Sequence, residues 1–156
     1  MKKMKMAVAA LVLAATLVSC SDDDNNNVNP LTQQIQQTVS NAQSGTWRIT
    51  SYIDSGNVET TDFTGYNFTF GANNALSASN GTNTYAGSWS VTQSDSMDDD
   101  DSEDIDFNIV FNTQAPLNFR ELNDDWDLVE MTATKITLVD VSGGNDSYDY
   151  LTFEKN

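Results

Sequence analysis

The sequence predicts an all-β domain entered through one short helix. From Gly45 onward, aromatic and β-branched residues alternate with polar ones at a period of two, and clusters of Gly, Asn, Asp and Ser interrupt the alternation at short intervals. The runs follow one another as successive hairpins, each with one apolar and one polar face. That is the pattern of an antiparallel up-and-down barrel or of a sandwich.

The helix comes first. Pro30 suits the first helical position, Asn29 is available to cap it, and Leu31, Ile35 and Val39 recur at i, i+4 and i+8, which fits about three turns. Eight strands follow, predicted over 46–54, 62–71, 75–80, 83–92, 105–112, 125–131, 134–141 and 147–154. Turn chemistry separates them at Ser55-Gly56-Asn57, Gly71-Ala72-Asn73-Asn74, Asn80-Gly81 and Gly143-Gly144-Asn145-Asp146. A helical turn is expected over Pro116 to Leu122, lying across one end. Alternation assigns to the interior Trp47, Ile49, Ile53, Phe68, Phe70, Leu76, Ala78, Trp89, Val91, Phe107, Ile109, Phe111, Trp126, Leu128, Ile136, Leu138, Leu151 and Phe153. Arg48, Thr50, Asp106, Asn108, Asp127 and Thr137 are among those assigned to the outer face.

Composition excludes much enzymology. The 156 residues make one domain, with no histidine and one cysteine. A Ser-His-Asp triad, a Cys-His pair, a histidine-ligated zinc and an internal disulfide are therefore all impossible. The remaining acid–base candidates are carboxylates, as in a glycosidase pair, and tyrosines such as Tyr66 and Tyr85. No spacing selects one carboxylate pair among 23 acids, so no enzyme and no cofactor is expected.

Residues 1–19 read as a secretory signal, with a basic start (Lys2, Lys3, Lys5) and an apolar stretch from Ala7 to Val18 that is short for a membrane span. Without them, 4 bases face 23 acids, a net charge of −19. Such a surface argues against nucleic acid as a partner. Leu17-Val18-Ser19-Cys20 resembles the lipobox of bacterial lipoproteins, and this resemblance implies cleavage before Cys20 and acylation of its sulfur and new amino terminus. Several acyl chains would make the anchoring effectively permanent. Residues 20–29 then form an acidic tether, and Cys20-Ser21-Asp22-Asp23-Asp24 resembles the export signal of Bacteroidetes lipoproteins displayed on the cell surface. The implied location is the outer membrane of a Gram-negative bacterium, held by lipid. The remaining residues, 30–156, are the folded domain.

Gly45-Thr46-Trp47, after a short helix and at the start of the first strand, resembles the Gly-x-Trp signature of lipocalins. Together with the lipobox, the tether and the closing Tyr150-Leu151-Thr152-Phe153-Glu154, it resembles the lipocalin-like lipoproteins of Bacteroidetes over nearly the whole chain. The resemblance implies an eight-stranded, lipocalin-like antiparallel barrel, with the tryptophan at its closed end beneath a basic side chain from near the last strand. Lys155 or Arg120 would supply that base. Gly87-Ser88-Trp89 echoes the motif and reads as a second strand start with an inward tryptophan, not as a repeat.

The densest charge is Asp95, Asp98, Asp99, Asp100, Asp101, Glu103, Asp104 and Asp106, between the fourth and fifth strands. Oxygen-only ligands would suit Ca²⁺, with Asp98, Asp100 and Asp104 as the candidate set, but the spacing lacks the order of an EF-hand and reads as a solvated loop. Asp95-Ser96-Met97 resembles the O-glycosylation acceptor of exported Bacteroidetes proteins, whereas the Asn-x-Ser/Thr triplets at Asn67, Asn80 and Asn145 read as strand and turn composition. Arg48 and Arg120 are expected to pair with nearby acids. The expected function is binding of a small apolar or amphipathic ligand in the barrel mouth. The alternative is a filled barrel serving as a protein-interaction or envelope-structural module.

Overall fold

The structure, a computed structural model, describes residues 29–94, 104–142 and 147–156. Cys20, Asp98, Asp100, the Asp95-Ser96-Met97 motif and the turn at 143–146 lie outside these residues. Helix α1 (Pro30–Gln43) leads into β1 (Trp47–Asp54) and β2 (Asn57–Val58), followed by a 3₁₀ turn at Thr60–Phe63. Then come β3 (Asn67–Phe70), β4 (Ala75–Ser79), β5 (Thr84–Gln93) and β6 (Ile105–Phe111). A single helical turn, α2 (Leu117–Arg120), precedes β7 (Asp124–Met131), β8 (Lys135–Ser142) and β9 (Ser147–Lys155).

Every strand pairing is antiparallel, and the sheet closes because β1 pairs with β9 as well as with β3. The result is a closed eight-stranded meander barrel, with β2 added beside β1 as a short ninth strand. Closure leaves the eight wall strands without a free edge. The seam between β1 and β9 is long, running from Trp47↔Lys155 to Ile53↔Tyr150, whereas β1 meets β3 at the single pair Trp47↔Phe68.

The predicted helix is present and longer, at 14 residues. Asn29 caps it, its side-chain oxygen accepting from Leu31 N–H at 3.0 Å. Its inner stripe is Leu31, Thr38 and Ala42, with Ile35 and Val39 half-buried.

Several expectations require correction. The run 62–71 is not one strand: Phe63 closes the 3₁₀ turn, Gly65 takes a left-handed conformation (φ 84°), and β3 begins only at Asn67. Ile53 is not interior, because a bulge between Ile49 and Ser51 reverses the facing of the rest of β1 and brings Tyr52 inside. Val91 and Leu128 are only half-buried and pack against the core from its margin. The other residues assigned to the interior are buried.

Candidate functional site

A ligand-binding barrel needs an empty interior and an open mouth, and here the interior is occupied by rings. Phe70 of β3 lies 5.1 Å from Phe107 of β6 and 5.5 Å from Phe153 of β9, centroid to centroid. Phe68 lies 5.3 Å from Phe153 and 6.3 Å from Phe111. Phe70–Phe107 and Phe68–Phe111 thus join β3 to β6, three strands away, and Phe153 meets both β3 rings from β9, all edge to face, the arrangement that the ring quadrupole favours. Among the described residues, no buried side-chain nitrogen or oxygen lacks a hydrogen-bond partner.

Each end is covered. At the end where β1 starts, Trp47 is fully buried and its indole N–H donates to the Ala42 carbonyl of α1 at 2.8 Å. Lys155 Nζ sits 5.3 Å from the Trp47 ring centroid, donating to Ser44 Oγ at 2.6 Å and to the Ala133 carbonyl at 3.0 Å. Lys155 is therefore the base above the tryptophan, contributed by the end of β9 itself. A Cβ at Gly45 would stand 2.9 Å from Lys155 Cε, so any larger residue there would displace the end of that lysine. Arg120 lies at the opposite end, where its Nε donates to the Ala115 carbonyl at 3.2 Å. That places it away from Trp47, and among the described residues it forms no ion pair with an acid. Arg48 does pair with an acid, Glu154, at 3.2 Å.

The opposite end is plugged by α2. Phe119 is buried with its ring 4.8–6.1 Å from those of Phe63, Tyr66, Phe68, Tyr85 and Phe111. Trp126 N–H donates to the Leu122 carbonyl at 3.0 Å, and Asn123 Oδ1 accepts from Phe111 N–H at 2.5 Å, fastening the segment after α2 to the wall. Tyr66 and Tyr85 stack at 5.9 Å. The hydrogen bond that the Tyr85 hydroxyl donates to Tyr66, then partial desolvation, raise the pKa of Tyr85, which makes its phenol a poorer acid. Beside them, Thr84, Tyr85, Ala86, Asn112, Gln114 and Ala115 line a solvent-open depression of about 330 Å³. Two smaller depressions flank α1, one of about 160 Å³ at Val39, Trp89 and Val91, the other of about 190 Å³ at Thr38, Leu128 and Met131.

The outer wall concentrates carboxylates. Asp106 of β6 faces Asp127 of β7, and Asp125 stands beside them opposite Asn108. Partial burial, then the charges of Asp125 and Asp127, raise the pKa of Asp106 to about 6, and Asp127 is raised by partial burial and by Asp104, Asp140 and Asp125. Asp124 is also pushed to about 6, by partial burial, by its contact with Asp125 and by Asp140. Among the described residues, no group of three or more acids is placed to hold a metal ion, and Asp104 belongs to no such set. No described helix is long and apolar enough to cross a membrane.

The architecture defines a small, closed meander barrel with a packed interior and a helix over each end. No protein-family model and no curated protein matches the chain. Among solved structures, a DUF4847 family protein from Bacteroides vulgatus ATCC 8482 is similar at 19% identity, covering 74% of this chain and 94% of that one with a TM-score of 0.43.

Proposed function

We propose that the protein is a non-enzymatic lipoprotein, anchored in the outer membrane through acylated Cys20, whose barrel serves as a rigid interaction module and not as a carrier of small molecules. The observation that carries this reading is the meeting of Phe68 and Phe70 with Phe107, Phe111 and Phe153 inside the barrel, where they belong to one cluster of buried side chains. A lipocalin-like carrier would need that space for its ligand. The anchor is supported by the lipobox reading of Leu17 to Cys20, and the tether by the acidic run that follows. Partner recognition then falls to the outer surface.

The test is native mass spectrometry of the mature chain made without acylation and challenged with fatty acids and isoprenoids. The expected spectrum is that of the protein alone. A stoichiometric adduct retained after removal of free lipid would overturn the filled-barrel reading. In cells, Cys20→Ala should move the processed chain out of the membrane fraction, and its retention there would overturn the anchor.

A further inference from the structure

Near the end covered by α2, the outer wall of β1, β9 and β8 presents an apolar band. Ile53 pairs with Tyr150, Tyr150 with Val139, and Tyr148 with Val141, while Val58 extends the band from β2 through its pairing with Ile53. Val58 is 74% exposed, and Val141, Tyr148 and Tyr150 are each about half exposed. The two tyrosine rings lie 6.3 Å apart and within 19° of parallel, stacked side by side on the outer face. Single exposed apolar side chains are ordinary, but four exposed ones flanked by the half-buried Ile53 and Val139, in register on four adjacent strands, form a patch of the kind that marks an interaction site.

The chemistry beside the patch indicates what fits there. The same ladder row continues from Val139 to Asp127 and from Asp127 to Asp106, so the apolar band runs directly into the carboxylates of the acidic wall. The bases of the mature chain are engaged elsewhere: Arg48 with Glu154, Lys135 with Glu130, Lys155 over Trp47 and Arg120 on the Ala115 carbonyl. A net charge of −19 opposes a second copy, and it opposes acidic partners for the same reason. A cation brought to Asp106 and Asp127 would relieve the repulsion between them.

We propose that this wall docks a polypeptide segment that carries apolar side chains beside lysine or arginine. The apolar residues cover Tyr148, Tyr150 and Val141, and the basic residues reach Asp127 and Asp106, two and three strand spacings of about 4.8 Å from Tyr150. The proposal rests on the interaction-module reading and names the surface and the partner's chemistry.

The experiment titrates the mature, unacylated chain into a labelled peptide of about 14 residues, long enough to cross those spacings, with leucines in one half and lysines in the other. Fluorescence anisotropy reads the affinity. Binding should weaken about tenfold or more in Tyr148→Ser/Tyr150→Ser and in Asp106→Asn/Asp127→Asn, as for loss of a central contact. Asp62→Asn, on the 3₁₀ turn, should leave it unchanged, and melting curves establish that each variant is folded. Equal affinity of the tyrosine variant and the parent would reduce the effect to non-specific charge attraction and overturn the proposal. Self-association in sedimentation that the tyrosine variant abolishes would assign the face to a second copy, which also overturns it. Failure of the peptide to bind, with no fatty-acid adduct, removes the docking wall and leaves the filled barrel standing. A fatty-acid adduct removes the filled barrel whatever the peptide does.

Discussion

Gly87 shows how much one missing side chain permits. A Cβ there would collide with the Val110 carbonyl oxygen and stand 3.0 Å from Phe111 Cα, both backbone atoms of β6 that cannot swing aside. Gly87→Ala should cost about 1–3 kcal/mol or more, read by urea denaturation, and an unchanged midpoint would refute the close approach. The glycine was visible in the sequence as half of a Gly-Ser-Trp echo, but its reason was not. It sits inside β5, not at a strand start, and the approach of β6 comes from a register that only pairing sets. The same holds for Asp106 and Asp127. Alternation put both on the outer face, but the sequence could not say that they stand opposite each other. The patch residues Tyr148, Tyr150, Val139 and Val141 read as ordinary strand formers, and their outward facing follows from Leu138 and Leu151 turning inward between them.

At the level of elements, the wall was more legible than its ends. Strand positions followed from period-two alternation, because each inward residue must be apolar and each outward one need not be. The covers obey no such rule. Phe63, Phe119 and Leu122 lie in a 3₁₀ turn, one helical turn and a short connection, where no periodicity announces burial. The region of α2 was expected to cross one end, but the central role of Phe119 was not visible. Its ring touches partners from the 3₁₀ turn, β3, β5 and β6, so Phe119→Ala should lower unfolding stability by about 3–5 kcal/mol. A loss below about 1 kcal/mol would mean that α2 lies on the barrel without sealing it.

Charge belongs to the molecule as a whole. Asp106 and Asp124 have folded-state pKa values of about 6, against an ordinary carboxylate value of 3.8. Between those limits the folded chain binds more protons than the unfolded one, so stability rises as the pH falls through 6 and is lowest once both groups are ionised. Glu130, held below its ordinary value by Lys135, opposes this only at lower pH. The melting temperature should therefore be higher near pH 5 than near pH 7.5, and Asp106→Asn should flatten the difference; a melting temperature that falls on acidification over that range would show the carboxylates to be relieved in the fold. Closure has its own consequence, in time. The bonds that shut the barrel join Trp47 to Lys155 and Thr46 to Asn156, residues more than a hundred positions apart. No portion of the chain that lacks β9 can complete the wall, so β9, which follows every other wall strand in sequence, must meet β1 before any cylinder exists. Folding is thereby tied to the rarest encounter in the chain, and it is expected to be slow and all-or-none.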